Sequence, residues 1–309
     1  MGNEKTGLAL GSGGARGLAH IGVLKVLEEK EISIDYISGS SIGALIGAAY
    51  SIGMTVKEME DIASKTNWKM MAKIFLPTLS LSAIINDKYL GEFLYGIFGN
   101  KKFEDAKIPL ALVATDIDSG KAVVIKSGNL LKAVRASMSL PMLFSPVIYN
   151  GRKLIDGGLV NPVPVDIIES EKVDKVIAVN LRGFAPISSS IPKQNSRMHS
   201  VKEIDELSLN EKIEFFLKHP IRFFGDKSHP EEIALPKFGS LLYQISIIVQ
   251  VQMAALTLKN AKPDIIIEPE TSSFKIFDFQ KADELINIGY KTASSVLDNY
   301  LNNYEHSGK

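Results

Sequence analysis

The sequence predicts an α/β protein in which helices cover both faces of a mostly parallel sheet, with an antiparallel portion in the middle. Strand and helix patterns alternate along the chain, and a unit of strand, glycine-rich turn and helix occurs twice near the N-terminus. A chain of 309 residues with 45% hydrophobic content is long enough to bury a full core. We therefore predict a single large domain over residues 5–309.

The first unit runs from a strand at Thr6–Leu10 through the turn Gly11–Gly17 into a helical pattern over Leu18–Lys30. Backbone N–H groups in such a turn, at the start of a helix, bind an anion or an oxyanion. A dinucleotide site is one interpretation, but it expects an acidic residue about 20 positions further on, where this chain has a second glycine turn. An oxyanion hole with Gly13 and Gly14 as donors is therefore favoured.

The second unit places a serine in a strand-to-helix turn. A short strand near Asp35–Ser38 leads into Gly39-Ser40-Ser41-Ile42-Gly43, and a helix of small residues follows over Ala44–Ser51. This turn fits GxSxG, in which the serine is strained and the two glycines avoid collisions with strand and helix. Because Ser41 is centred between Gly39 and Gly43, we predict Ser41 as a nucleophile. A glycine-flanked helix cap is the alternative interpretation.

The remaining elements complete the sheet and its helices. Hairpin turns are expected at Asp118-Ser119-Gly120 and Asn150-Gly151, and an amphipathic helix at Gln280–Tyr304. Between residues 186 and 240 the composition becomes polar and charged, which indicates an insertion. Further strands are expected at Leu110–Thr115, Ala122–Ile125, Val147–Tyr149, Lys153–Ile155, Val176–Asn180 and Ile265–Glu268.

A nucleophilic serine needs a base, and the sequence favours Asp156 over the histidines, which are His20, His199, His219, His229 and His306. Asp156 ends a predicted strand and precedes Gly157 and Gly158, which let another backbone or a substrate approach. A free aspartate has a pKa of about 3.9, so burial beside Ser41 must raise its proton affinity. Capping of the following turn is the alternative role for Asp156.

Four motifs give the sequence a strong resemblance to the patatin-like phospholipases, specifically the bacterial members similar to the catalytic domain of neuropathy target esterase. The resemblance covers about residues 5–182 and resumes near 255–300. The motifs are SGGARG at Ser12–Gly17 with the helix that follows, GSSIGA at Gly39–Ala44, RASMSLPMLFSPV at Arg135–Val147 and DGGLVNPVP at Asp156–Pro164. One departure is Ser12, which replaces the first glycine of the usual GGGxRG loop and leaves the backbone donors unchanged.

This resemblance implies a three-layer α/β/α sandwich that hydrolyses acyl esters of lipids or lysophospholipids without a metal or other cofactor. Ser41 then corresponds to the nucleophile and Asp156 to the catalytic aspartate. The oxyanion donors correspond to Gly13, Gly14 and Ala15. Arg16 occupies the basic position of the loop, where it pins the loop, meets a lipid phosphate or lies in solvent.

Composition limits the partners. Lys plus Arg and Asp plus Glu number 35 each, so no overall positive field favours nucleic acid. The absence of cysteine excludes thiol catalysis. The N-terminus lacks the pattern of a signal peptide, and we expect a cytoplasmic protein. Three apolar stretches, Trp68–Leu81, Phe215–Phe224 and Leu241–Leu258, are candidates for core, for an acyl channel or for peripheral contact with a membrane surface.

Two other functions remain open at this point. The order of Ser41, Asp156 and a later histidine such as His199 also suits a triad esterase, although that class places more strands before its nucleophile. A lipid-binding protein without enzymatic activity would retain the same site as a receptor for acyl chains.

Overall fold

Eight strands form one mixed sheet in the part of the chain that the computed structural model describes, which comprises residues 4–65, 87–141, 143–181 and 238–307. Most of the expected insertion lies outside these described residues, as do Trp68–Leu81, Phe215–Phe224 and His199. The strands are β1 (Thr6–Leu10), β2 (Tyr36–Ser40), β3 (Leu110–Asp116), β4 (Ala122–Ile125), β5 (Val147–Tyr149), β6 (Arg152–Asp156), β7 (Lys175–Val179) and β8 (Ile265–Ile267).

Pairing connects the strands in the order β5, β6, β3, β2, β1, β7, β8, with β4 also paired to β3. The pairs β3–β2, β2–β1, β1–β7 and β7–β8 are parallel, whereas β3–β4, β3–β6 and β5–β6 are antiparallel. The predicted α/β class with a mostly parallel sheet is therefore confirmed. The antiparallel portion comes from the middle of the sequence but lies at one end of the sheet.

Helices cover both faces of the sheet and give the expected three layers. Alternate residues of β1 show why: Leu8 and Leu10 belong to the larger hydrophobic cluster, whereas Ala9 belongs to the smaller cluster on the opposite face. The helices are α1 (Ala19–Glu29), α2 (Ile42–Ser51), α3 (Val56–Lys65), α4 (Asp87–Phe98), α5 (Leu130–Ser137), α6 (Val165–Glu169), α7 (Phe238–Ala261) and α8 (Ala282–Ser307). Within the described ranges, none of them has the length and hydropathy needed to cross a membrane.

Turn residues have the backbone conformations that their sequence predicts. Asn150 and Gly151, which join β5 to β6, both have positive φ, 46° and 78°. Gly120 in the β3–β4 turn has φ of 67°, and Gly53 after α2 has φ of 88°. Local residue chemistry therefore fixes these connections. Helix α2 begins at Ile42, two residues before the predicted start.

Strand β3 aligns the ends of two other strands. Ser40, the last residue of β2, pairs with Val113, and Asp156, the last residue of β6, pairs with the adjacent Ala114. β4 occupies the opposite edge of β3 over the same residues, from Leu112 to Thr115. β2 and β6 therefore lie end to end along one edge of β3, with their C-terminal ends facing each other.

Candidate active site

Ser41 occupies the sharp turn between β2 and α2 with φ of 55° and ψ of −119°, a backbone conformation that non-glycine residues rarely adopt. Both flanking glycines are sterically required. A Cβ on Gly43 would lie 2.1 Å from the Leu10 carbonyl oxygen, and a Cβ on Gly39 would lie 2.6 Å from the Gly43 carbonyl oxygen. The GxSxG pattern thus allows β1, β2 and α2 to approach closely around the serine.

Ser137, at the end of α5, anchors this strained turn to β3. Its fully buried hydroxyl accepts a hydrogen bond from the Ser41 amide, at 2.9 Å, and donates to the Val113 carbonyl oxygen, at 2.5 Å. Sequence reasoning did not assign Ser137 to the site. The available signal was its place in the RASMS segment, which is one of the four motifs that carry the family resemblance.

Asp156 contacts Ser41 directly. The Ser41 hydroxyl donates to Asp156 Oδ2 at 2.6 Å, and the Gly158 amide donates to Oδ1 at 2.8 Å. The backbone of Asp156 is also held: its amide donates to the Ser139 carbonyl oxygen at 2.9 Å, and its own carbonyl accepts from Thr115 Oγ1 at 2.7 Å. The carboxylate is therefore fixed in position against the serine.

Burial changes the acid strength of Asp156. The residue is 2% exposed, and loss of solvation raises the pKa of its carboxyl to about 6, although the hydrogen bonds from Ser41 and Gly158 act in the opposite direction. At neutral pH the carboxylate is ionised and is a stronger base than a free aspartate. This is the shift that the sequence reasoning required of a base beside Ser41.

The two glycines after Asp156 permit close packing. A Cβ on Gly157 would lie 2.2 Å from the Val113 carbonyl oxygen, and a Cβ on Gly158 would lie 2.8 Å from Ser12 Oγ. The DGG sequence therefore brings Asp156 against β3 and against the glycine-rich loop at the same time.

The glycine-rich loop is held at several points. The amides of Gly11 and Ser12 donate to the carbonyl oxygens of Val179 and Pro162. Within the described part of the chain, neither the Gly13 amide nor the Gly14 amide has an acceptor, and both residues line the same cavity as Ser41. They are therefore available as donors to an oxyanion.

The structure corrects the assignment of Ala15 as an oxyanion donor. The Ala15 amide donates to the Ile276 carbonyl oxygen at 2.8 Å, and the residue is fully buried. An amide engaged with a fixed backbone acceptor cannot also bind the substrate oxygen, because that N–H carries a single hydrogen. Among the described residues, the loop therefore has two amides without an acceptor, those of Gly13 and Gly14, rather than three.

The buried side chains of Arg16 and His20 help to hold the glycine-rich loop in place. Arg16 is 9% exposed and its Nε donates to the Phe274 carbonyl oxygen at 2.8 Å, so the interpretation as a solvated arginine is wrong and the interpretation as a loop pin agrees with this contact. His20 is fully buried, and its Nε2 donates to the Gly11 carbonyl oxygen at 2.8 Å. Burial lowers the pKa of His20 to about 4, so its ring is neutral. Of the histidines, His20 is the one whose side chain the structure describes.

A cavity of about 440 Å³ connects these groups. It is lined by Ser41, Asp156, Gly13 and Gly14, and most of the remaining lining is apolar. Helix α7, predicted as core, acyl-channel wall or membrane-surface helix, contributes one stripe to this wall: Ile247, Gln250, Val251, Ala254, Ala255 and Leu258. An apolar cavity of this size beside a serine and a carboxylate suits an ester with an acyl chain.

Gln250 is a further site residue that sequence reasoning missed. Its Oε1 accepts a hydrogen bond from Ser12 Oγ at 3.1 Å, and it would lie 2.9 Å from a Cβ on Gly158. The available signal was a polar residue inside the most apolar stretch of the chain. Gln250 therefore places a polar group above the glycine-rich loop and the DGG turn.

Comparisons with known proteins identify the family of this chain. A family model described as patatin-like phospholipase matches residues 8–168. The chain is 30% identical to an uncharacterized NTE family protein of Mycobacterium tuberculosis over an alignment of 332 positions that covers 96% of this chain and 92% of that protein.

Two longer relatives match through a part of their length. Patatin-like phospholipase domain-containing protein 6 of Homo sapiens is 30% identical over an alignment of 299 positions that covers 94% of this chain and 20% of that protein. Lysophospholipase NTE1 of Debaryomyces hansenii is 28% identical over an alignment of 316 positions that covers 100% of this chain and 19% of that protein. The site residues Ser41 and Asp156 both lie inside the segment that the family model matches, and the chain belongs to the patatin-like phospholipase family.

Proposed function

We propose that the protein hydrolyses fatty-acyl esters of lipids, as a phospholipase A or lysophospholipase, with Ser41 as nucleophile and Asp156 as base. The observation that carries this proposal is the 2.6 Å hydrogen bond from the Ser41 hydroxyl to a buried carboxylate inside a largely apolar cavity. Membership of the family and the name of the fungal relative, a lysophospholipase, support the same class of substrate.

The reaction proceeds through an acyl-enzyme. Asp156 accepts the Ser41 proton as the serine oxygen attacks the ester carbonyl, and the amides of Gly13 and Gly14 donate to the oxyanion. The carbon–oxygen bond to the leaving alcohol then breaks, and Asp156 returns its proton to that alcohol. Water attacks the acyl-serine with Asp156 again as base, which releases the fatty acid and restores Ser41. Each oxyanion donor of this kind contributes about 10² to 10³ in rate.

The strained turn contributes to this chemistry. Ser41 precedes the first turn of α2, whose amide groups and positive helix end favour negative charge that develops near the serine oxygen. Its positive φ projects the side chain away from the strand and helix backbones, towards the cavity. The neutral His20 donates its Nε2 hydrogen to the Gly11 carbonyl oxygen and makes no hydrogen bond with Ser41. This supports a mechanism in which Ser41 and Asp156 act without a histidine.

Peripheral contact with a membrane is part of this proposal. Four large apolar side chains of α7, Ile245, Ile248, Val249 and Leu256, form an exposed stripe, each between 39% and 53% exposed. They follow the helical spacing of i, i+3, i+4 and i+11, and the opposite stripe of the same helix lines the cavity. An apolar stripe beside the substrate cavity suits insertion at the surface of a bilayer that supplies the substrate.

The test compares hydrolysis of phospholipid, lysophospholipid, triacylglycerol and acyl-CoA by the wild-type chain, with Ser41→Ala as the blank and Ser40→Ala as the matched control. Ser40 is buried next to the nucleophile, and its hydroxyl has no partner among the described residues. We expect Ser41→Ala to abolish ester turnover and labelling by a fluorophosphonate, and Ser40→Ala to retain both.

Other outcomes identify the rival functions. Turnover or labelling that survives in Ser41→Ala contradicts the proposal. A protein that binds fatty acid but neither turns over esters nor reacts with the probe is a lipid receptor. Loss of turnover in a variant at His199, with Asp156 retained, indicates a triad. Thermal stabilisation by a nucleotide would favour the dinucleotide interpretation of the glycine-rich loop.

A further inference from the structure

The cavity is closed on one side and open on the other. The lining from α2 is buried, since its four lining residues, Ile42, Leu45, Ile46 and Ala49, are each 8% exposed or less. The lining from α3 and α4 contains buried residues, such as Met59 and Leu90, and the half-buried Ile62, Phe93 and Ile97. The lining from α7 is less enclosed, since Ala255 is exposed and Ile247, Val251 and Leu258 are half-buried. The mouth therefore faces α7, and the closed end faces α2.

The polar residues that line the cavity lie outside α2, α3 and α4. In the lining outside α2, α3 and α4, Asn180 Nδ2 donates to Glu268 Oε1 at 2.8 Å and Ser12 Oγ donates to Gln250 Oε1 at 3.1 Å. The described lining contributed by α2, α3 and α4 is entirely apolar. A molecule with one polar and one apolar end therefore fits in a single direction, with its apolar end towards α2.

The apolar side begins at the nucleophile itself. Ile42, Leu45, Ile46 and Ala49 line the cavity at the spacing i, i+3, i+4 and i+7, which is one stripe of α2. From Ile42 to Ala49 this stripe extends about 10 Å along the helix. Ala49 is the smallest side chain of the stripe and lies at the end remote from Ser41. We call the space bounded by this stripe and by the lining residues of α3 and α4 the closed arm.

We propose that the closed arm is the binding site for the acyl chain, and that Ala49 sets the length of chain that the site accepts. The leaving alcohol then lies at the mouth, among Ser12, Gln250, Asn180 and Glu268. This assignment rests on the proposed function, because it uses an ester positioned at Ser41. Because the side chain of Ala49 is small, the far end of the closed arm has room for the last methylenes of a long acyl chain.

The test is a pair of identical substitutions on the two sides of the cavity. Ala49→Leu fills the closed arm, whereas Ala255→Leu adds the same atoms at the mouth. Values of kcat/KM are measured for p-nitrophenyl esters from butanoate to dodecanoate, below their aggregation limits. We expect Ala49→Leu to lower the ratio of dodecanoate to butanoate turnover at least about tenfold, since each methylene excluded from an apolar site costs about fourfold, or 0.8 kcal/mol. Ala255→Leu should leave the ratio within about twofold of the wild type.

Butanoate turnover serves as the internal measure of an intact site. If Ala49→Leu fails to fold, Ala63→Leu tests the same arm from α3, where Ala63 also lines the cavity. An unchanged chain-length profile in a folded arm variant, or an equal change in Ala255→Leu, overturns the assignment.

Failure of the acyl-site assignment is distinguishable from failure of the proposed function. The Ser41→Ala protein is titrated with a fluorescent fatty acid, which is displaced by fatty acids of increasing length. This measurement needs no catalysis. Weaker binding of long chains after Ala49→Leu supports the closed arm even if no ester is hydrolysed, and unchanged binding contradicts it.

Discussion

The Ser41 hydroxyl donates to the Asp156 carboxylate across 2.6 Å, although the two residues are 115 positions apart in the sequence. Their closeness follows from β3, which pairs through Val113 with the strand that ends before Ser41 and through Ala114 with the strand that ends at Asp156. Adjacent residues of one strand therefore bring Ser41 and Asp156 together. Four predictions follow from this arrangement and from the surfaces around it.

The first prediction concerns pH. Because the pKa of Asp156 is raised to about 6, protonation of this base should lower kcat/KM for a neutral short-chain ester about tenfold per pH unit below pH 6. Activity should reach a plateau at neutral pH. The measurement is a pH–rate profile with circular dichroism at each pH, to confirm that the chain is folded. A profile that stays flat down to pH 4.5 would contradict the role of Asp156 as base.

The second prediction is that Asp156→Asn makes the protein inactive and more stable. The pKa of Asp156 in the folded chain, about 6, exceeds the ordinary aspartate value of 3.8, so between these values the folded state binds a proton that the unfolded state does not. The stability therefore falls as pH rises through this window. At pH 8 the buried carboxylate costs about 3 kcal/mol, which asparagine removes.

Urea unfolding at pH 8 and at pH 4 measures this effect. We expect Asp156→Asn to be more stable than the wild type by about 2 to 3 kcal/mol at pH 8, with most of the gain lost at pH 4. Asp118→Asn is the matched control, because the side chain of Asp118 is 63% exposed. A gain in Asp118→Asn as large as the gain at Asp156, or no gain at Asp156, would refute the prediction.

The third prediction concerns Ser137, which holds the strained turn without contacting a substrate atom. Ser137→Ala leaves the Ser41 amide and the Val113 carbonyl without their hydroxyl partner, so we expect kcat to fall about 10- to 100-fold. KM for a short ester should change little, because the cavity lining is retained. Ser40→Ala, which removes an unpartnered buried hydroxyl, should alter kcat less than about twofold.

Steady-state kinetics and thermal unfolding separate a positioning role from simple loss of stability. Assays well below the midpoint temperature of each variant keep the chains folded. If Ser137→Ala retains wild-type kcat, or if Ser40→Ala loses as much activity, the anchoring role of Ser137 is incorrect.

The fourth prediction concerns the exposed stripe of α7. Ile248→Glu should reduce the fraction of protein that floats with phosphatidylcholine vesicles, because it places a charge where the side chain would enter the bilayer. Turnover of a soluble short ester should remain unchanged. Leu301→Glu, at a 40% exposed leucine of α8, is the matched control. Equal loss of flotation in both variants, or no loss in either, would argue against a membrane-binding role for the stripe.

Local sequence predicted the elements whose conformation depends on neighbouring residues. The strand at Thr6–Leu10 agrees residue for residue, and the Asn150-Gly151 turn has the positive φ angles that its residue types favour. The GxSxG and DGG patterns also carry local information, because each glycine marks a place where another part of the chain approaches too closely for a side chain. Ser41 and Asp156 were therefore accessible from sequence, although their hydrogen bond depends on β3.

Features that depend on distant segments were not accessible in this way. Ala15 and Gly14 are adjacent and similar in size, but a carbonyl oxygen from Ile276, 261 positions later than Ala15, occupies one amide and leaves the other available. The burial of Arg16 likewise depends on Phe274. Neither the periodicity nor the composition of residues 11–17 predicts where the segment that contains Phe274 and Ile276 packs.

The division of the site between strands β2 and β6 has a consequence for synthesis of the protein. A nascent chain that has been synthesised only through β3 contains Ser41 but lacks Asp156, and the part of the β3 edge that will receive β6, from Ala114 to Asp116, is unoccupied. Ser41 of such a chain lacks the carboxylate to which it donates in the folded protein. Under the proposed mechanism, hydrolytic competence arises only when the polypeptide has grown beyond residue 156 and β6 has paired with β3, and an incomplete translation product is inert towards the lipids around it.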